Sequence, residues 1–256
     1  MIFIRSAVFN AVFYASFLVV AILGVPFLAT PKGALEVARV WARVNLWLAE
    51  HLAGIRFEVR GRENLPEGGC LIAAKHQSAM ETFGIVPYVH DFAFILKREL
   101  NWIPLFGWYT MRAGMIGVNR GARSQALRDM TVEARKAIAN GRQIIIYPEG
   151  TRRPPGAEPS YKYGAVYLYT ELGTFCVPVA INTGLYWPRR SFLRYPGTAV
   201  LEFLEPIAPG LDGEAFKTKL QNAIEEASGR LIAESRARGE GIPPHKIKPP
   251  KAPKKK

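Results

Sequence analysis

The sequence predicts an α/β fold, a mostly parallel central sheet flanked by helices and preceded by an N-terminal membrane-associated helical segment. Two observations carry the sheet. Short apolar runs alternate with longer helical stretches from Ile55 onward, and polar clusters follow three of those runs at the same relative place. A third observation carries the N-terminal segment: residues 7–29 hold no charged side chain, in a chain of 256 residues with a formal net charge of +13.

Taken in order, the uncharged stretch contains Phe9, Val12, Phe13, Phe17, Leu18, Val19, Val20, Ile22 and Leu23. It is long enough to cross a bilayer core, which takes about 20 residues as a helix. Only Arg5 stands before it as a basic residue, and the stretch is long for a signal-peptide core, which argues against a cleaved leader. Residues 34–52 are amphipathic at helical spacing, with Glu36, Arg39, Arg43 and Glu50 on one side and Val37, Trp41, Val44, Leu48 and Leu52 on another. Their position after the apolar stretch, with Trp41 and Trp47, suits the headgroup zone; a core-facing helix has the same pattern.

Strands are expected at 55–60, 70–74, 92–97, 115–118, 143–147, 177–181 and 199–204, and helices at 79–89, 123–140, 161–172 and 212–237. One domain with a sizeable core accommodates them. Cys70 and Cys176 lie in apolar runs without metal-ligand spacing and read as buried thiols in a reducing compartment. His51, His76, His90 and His245 show no ligand spacing either, so no metal is expected.

The positive charge calls for an acidic partner: nucleic acid, a phosphate-bearing substrate or an anionic membrane surface. A nucleic-acid binder would leave the apolar N-terminus and the polar clusters unexplained, so no nucleic acid is expected. Part of the charge lies in residues 242–256, where Lys246, Lys248, Lys251, Lys254, Lys255 and Lys256 sit among prolines. That composition builds no core and reads as a disordered tail, either solubilising or tethering. Arg189, Arg190 and Arg194, interleaved with Trp187, Phe192 and Tyr195, form a candidate membrane-facing patch or a solvated loop.

The polar clusters carry the chemistry. His76 and Glu81 follow the 70–74 strand, Asn119 and Arg120 end the 115–118 strand, and Glu149, Gly150, Thr151 and Arg152 follow the 143–147 strand. Ligands in open α/β sheets collect at the carboxyl ends of strands, so the three clusters are expected to converge. A neutral imidazole takes a proton from a hydroxyl near physiological pH, and a carboxylate on its other nitrogen fixes the tautomer. A spacing of five does not align two side chains on a regular helix, which puts His76 on a turn and Glu81 inside the next helix. Ser78 reads as a helix N-cap rather than a nucleophile, so the activated hydroxyl belongs to a substrate. Arg120 and Arg152, beside Gly121 and Gly150, suit an anion.

Jointly these residues resemble the glycerolipid acyltransferase family, specifically bacterial 1-acyl-sn-glycerol-3-phosphate acyltransferases. The first motif, a His, four residues and an acid, is matched by residues 76–81 with Glu81 where Asp is commonest. The second resembles residues 117–120, the third residues 147–152, and an apolar, proline-containing fourth residues 177–180. Lys97 and the stretch 98–107 look like the segment between the first two. The resemblance implies that His76, oriented by Glu81, deprotonates the 2-hydroxyl of lysophosphatidic acid as it attacks an acyl thioester of coenzyme A or acyl carrier protein, forming phosphatidic acid with no cofactor. Arg120 and Arg152 would bind the acceptor phosphate, Lys97 would be a third cation, and Asn119, Glu149, Gly150 and Thr151 would shape the acceptor site. With the composition of the two ends, three parts are expected: anchoring helices 1–52, a catalytic domain 53–240 and a basic tail 241–256. The expected place is the cytoplasmic face of a bacterial inner membrane. Acylation of another lysolipid, such as lyso-ornithine lipid, and non-catalytic binding of anionic lipid are the alternatives.

Overall fold

A computed structural model describes residues 1–119 and 123–247, without the side chains of Arg123 and Ser124. Its strands are β1 (Ile55–Arg60), β2 (Leu71–Ala74), β3 (Phe92–Lys97), β4 (Ile116–Val118), β5 (Gln143–Ile146), β6 (Cys176–Ile181) and β7 (Gly197–Phe203). Its helices are α1 (Ile2–Leu23), α2 (Pro31–Leu48), α3 (Met80–Gly84), α4 (Phe106–Arg112), α5 (Arg123–Ala139), α6 (Tyr163–Leu172) and α7 (Gly213–Ala237). The strands form one seven-stranded sheet in the order β1-β7-β6-β2-β5-β3-β4. From β6 to β4 all neighbours are parallel, whereas β7 pairs antiparallel with β6 and parallel with β1. The predicted mostly parallel sheet is therefore present.

β2, β5 and β6 are buried at every position, as continuous apolar runs must be when both faces of a sheet are covered. Alternation along β2 separates the two layers. Leu71 and Ala73 pack with Met130 and Ala134 of α5, Ala165 and Leu168 of α6, and Phe216 and Leu220 of α7. Ile72 and Ala74 face the other way, into a core shared with Phe9 of α1, Ala34, Leu35 and Ala42 of α2, and Met80 and Phe83 of α3. The N-terminal helices thus supply one of the two layers.

Local differences from the expected elements have physical causes. The helix expected over 79–89 stops at Gly84, because Pro87 has no N–H to continue it, and a 3₁₀ turn spans Val86–Tyr88. After α1 the chain turns through Gly24 into a 3₁₀ helix, Val25–Ala29, rather than continuing the apolar helix to residue 29. α2 widens into a π turn, Ala49–Ala53, ended by Gly54 in the left-handed region at φ 71°. Trp41 packs edge-on against Phe83 inside the core, while Trp47 alone of the two indoles is exposed.

The chain also stays packed where composition suggests disorder: Ile242 is buried and its N–H donates to the Leu185 carbonyl at 2.7 Å. The rest of the lysine tail, from residue 248, lies outside the described residues. Cys70 and Cys176 are free and buried, and burial pushes the Cys70 thiol up to about 12.

Candidate active site

Because β2, β5 and β6 are adjacent and parallel, the segments leaving them share one edge of the sheet. Lys75 to Ala79 form the turn after β2, and α3 begins at Met80, so His76 stands on the turn and Glu81 in the first helical turn. Nδ1 of His76 lies 2.8 Å from Oε1 of Glu81. The same oxygen accepts the N–H groups of Gln77 at 2.8 Å and Ser78 at 2.7 Å, and Oε2 accepts the Thr183 hydroxyl at 2.7 Å. A carboxylate held this way is an acceptor only, so the imidazole proton belongs on Nδ1 and Nε2 keeps its lone pair.

The imidazole is also held by its face and its backbone. Tyr147 stacks on it with centroids 4.1 Å apart and planes inclined by 22°. Burial, then the nearby Glu81 charge, raises the Tyr147 hydroxyl well above its ordinary range, so the ring acts as a neutral wall. The His76 N–H donates to Glu149 Oε2 at 3.2 Å, and the His76 carbonyl accepts the Arg153 N–H at 2.8 Å. The segment after β5 therefore grips both ends of the His76 peptide unit.

Glu149 is buried, and burial raises its carboxyl above the usual range against the opposing pull of Lys75, the His76 N–H and Arg153. Lys75, 3% exposed, lies 3.7 Å from Glu149 Oε1 and 2.5 Å from Oε1 of Glu225 on α7. Tyr161 donates to that Glu225 oxygen at 3.0 Å. This chain of groups ties α7 to the backbone of His76.

The sequence model of the acyltransferase family matches residues 56–182. The 1-acyl-sn-glycerol-3-phosphate acyltransferase of Pseudomonas aeruginosa is 36% identical over 201 residues, covering 78% of this chain and 77% of that protein. The chain belongs to the acyltransferase family. Mouse 1-acyl-sn-glycerol-3-phosphate acyltransferase alpha is 27% identical over 205 residues, 78% of this chain and 72% of its own. Among solved structures, the 1-acyl-sn-glycerophosphate (LPA) acyltransferase PlsC of Thermotoga maritima superposes with a TM-score of 0.77 at 27% identity, over 91% of this chain and 98% of its own.

In this acyltransferase the third-motif turn is closed by the Gly150 N–H on the Tyr147 carbonyl at 2.9 Å, with Gly150 at φ 63°, a conformation that favours glycine. Thr151 is exposed beyond that turn and Arg152 half-buried. The other expected residues leave from strands further along the sheet. Lys97 ends β3, two strands from β2, where it is exposed and paired with Glu99 at 3.0 Å. Asn119 follows β4 one strand further out, and Arg120 and Gly121 lie outside the described residues.

The expected basic and aromatic patch is divided by the fold. Arg194 is 6% exposed beneath the Trp187 ring at 4.2 Å, and burial lowers it to about 10, whereas Arg189 and Arg190 are exposed. Ser78 is buried, its hydroxyl accepting the Met80 N–H at 3.1 Å; it caps α3 from one position before the N-cap residue Ala79.

Lys75, Arg153, Thr183 and Glu225 were not singled out from sequence. Lys75 alone offers a signal, a cation placed directly between an apolar strand and the imidazole. Thr183 and Glu225 are ordinary until the fold brings them across 102 and 150 residues to Glu81 and Lys75.

Proposed function

We propose that this acyltransferase moves an acyl group from a thioester of coenzyme A or acyl carrier protein to the 2-hydroxyl of 1-acyl-sn-glycerol 3-phosphate, giving phosphatidic acid and a free thiol. The observation that carries the reading is the imidazole with Nδ1 at 2.8 Å from a fully engaged Glu81 carboxylate. Among the described residues no hydroxyl bonds to Nε2, which is left as a base. The relatives' names supply the acceptor.

His76 Nε2 takes the proton of the acceptor hydroxyl as its oxygen bonds to the thioester carbonyl carbon. Glu81 stabilises the imidazolium that forms. The tetrahedral adduct collapses with cleavage of the carbon–sulfur bond, and the thiolate leaves with the proton from His76. Arg152, with Arg120 assigned from its motif alone, meets the acceptor phosphate through planar guanidinium groups. No cofactor enters this scheme.

A bilayer supplies the acceptor and takes the product. α1 is the one described helix long and apolar enough to cross a membrane by length and composition. It lies against the domain near both ends, where Arg5 donates to the Leu52 carbonyl at 3.0 Å and the Ala21 carbonyl accepts the Tyr109 hydroxyl at 2.8 Å. Its outer side exposes Phe3, Ile4, Val8, Tyr14, Leu18 and Val19. This arrangement supports an acyltransferase seated on one leaflet, with the anionic surface of a bacterial inner membrane at its cytoplasmic side as the setting.

The test is transfer by purified protein from acyl-coenzyme A and acyl carrier protein donors to lysophosphatidic acid, with product identification. His76→Ala is expected to lower kcat by about 10²–10⁴-fold while vesicle binding is unchanged. Transfer by His76→Ala at the wild-type rate would refute the base.

A further inference from the structure

The segment 182–196 between β6 and β7 is held to the site at three points. The Thr183 hydroxyl donates to Glu81 at 2.7 Å, the Gly184 N–H to Gln77 Oε1 at 3.1 Å, and Nη1 of Arg189 to the Arg152 carbonyl at 2.7 Å. The last bond brings a guanidinium to the turn whose next residue, Arg153, donates its N–H to the His76 carbonyl. Arg190 follows at φ 58°, in the left-handed region that a long side chain enters at a cost. Such conformations persist where surrounding structure imposes them, and they gather at functional sites. Here a turn imposes it, closed by the Ser191 N–H on the Pro188 carbonyl at 3.2 Å.

Arg152, Arg189 and Arg190 consequently share one place. Among the described residues none of the three is in an ion pair, whereas Arg153 beside them faces Glu149 at 3.7 Å. Burial, then the charges of Arg190 and Arg152, lowers the Arg189 pKa. Like charges held together without acids call for an anion. A phosphomonoester, with about −1.5 to −2 charges near neutral pH, offsets more of such a group than a singly charged phosphodiester does.

We propose that Arg189, with Arg190 beside it, extends the Arg152 anion site onto the β6–β7 segment and binds the phosphomonoester of the acceptor lipid. The proposal rests on the acceptor named above. It assigns acceptor recognition to a segment outside the four motifs, and it explains why that segment is tied to Glu81 and Arg152.

Arg189→Gln, Arg190→Gln and Arg189→Lys change exposed side chains, and an unchanged Tm verifies folding. For Arg189→Gln the expected result is an acceptor KM raised about tenfold, with donor KM and kcat little changed. Inhibition by glycerol 3-phosphate should weaken by a similar factor, and Arg189→Lys should recover part of the loss. A raised donor KM with unchanged acceptor KM would overturn the proposal in favour of the donor's phosphates. Lost binding to phosphatidylglycerol vesicles with both KM values unchanged would overturn it in favour of the bilayer. Calorimetry of glycerol 3-phosphate with both proteins separates the two readings: equal affinity sinks the anion site, whereas weaker binding to the variant sustains it even where wild type transfers no acyl group to lysophosphatidic acid.

Discussion

Glu81 serves four donors with two oxygens: His76 Nδ1, the N–H groups of Gln77 and Ser78, and the Thr183 hydroxyl. Replacing the carboxylate by an amide gives those donors a poorer acceptor and removes the charge facing the imidazolium. Glu81→Gln should therefore lower kcat by about 10²–10⁴-fold with little change in KM, measured beside an unfolding curve. Thr183→Val leaves a buried carboxylate oxygen short of one donor and should cost about 1–3 kcal/mol by denaturant unfolding. The local half of this site is legible in sequence, because a His, four residues and an acid specify a turn followed by a helix. The other half is not: nothing near Lys75 in the chain announces Glu225, and only the packing of α7 makes that partner. Lys75→Met would remove the cation that Glu149 and Glu225 share and should lower the denaturation midpoint, by up to about 3 kcal/mol of stability.

Among the elements, α7 clasps the antiparallel end of the sheet. Glu234 accepts Arg60 of β1 at 2.9 Å and Arg230 at 2.9 Å, and Arg230 reaches Glu202 of β7 at 2.8 Å. The Arg60 hydrogen bond foremost lowers the Glu234 pKa against the opposing effect of burial. A carboxylate lowered on folding contributes stability above its ordinary pKa and loses it as pH falls through the lowered value. Stability of the wild type should drop more steeply than that of Glu234→Gln through that acid window, as followed by urea unfolding at stepped pH. The elements themselves were readable where the pattern was unambiguous. β2, β5 and β6 are apolar runs bounded by polar turns, and α7 begins at Asp212, which caps it by accepting the N–H groups of Glu214 and Ala215. Reading failed where a short helix met Pro87, and left two places open for Trp41, since a core and a lipid surface ask for the same side chains.

For the whole molecule, the N-terminal layer has two faces with different duties. Ser6, Phe9 and Asn10 dock α1 on the domain, Asn10 donating to the Phe192 carbonyl at 2.9 Å and Ser6 accepting the Arg194 N–H at 2.8 Å. The opposite face presents Leu18, Val19, Ile22 and Leu23. Leu18→Glu with Val19→Glu should weaken binding to anionic vesicles at least tenfold, by about 1.4 kcal/mol, with transfer to a short-chain, water-dispersed acceptor retained; vesicle binding equal to wild type would remove α1 from the membrane surface. Composition alone separates an apolar helix from the rest of the chain but not its docked side from its outer side. Two polar residues within it, Ser6 and Asn10, mark the docked side once their partners 188 and 182 residues away are known.

The reversal of β7 against β6 governs how this scaffold can change over evolutionary time. A connection between parallel strands has to return across the sheet, so altering it disturbs a packed face. Segment 182–196 instead leaves and re-enters at a single edge. Its exposed tip at Arg189 and Arg190 can therefore be re-charged while Thr183 stays on Glu81 and Leu185, Tyr186, Trp187 and Tyr195 stay in the core. New headgroup preferences within such a lineage have a short route open to them, through an exposed tip carried on a segment whose base reaches Glu81.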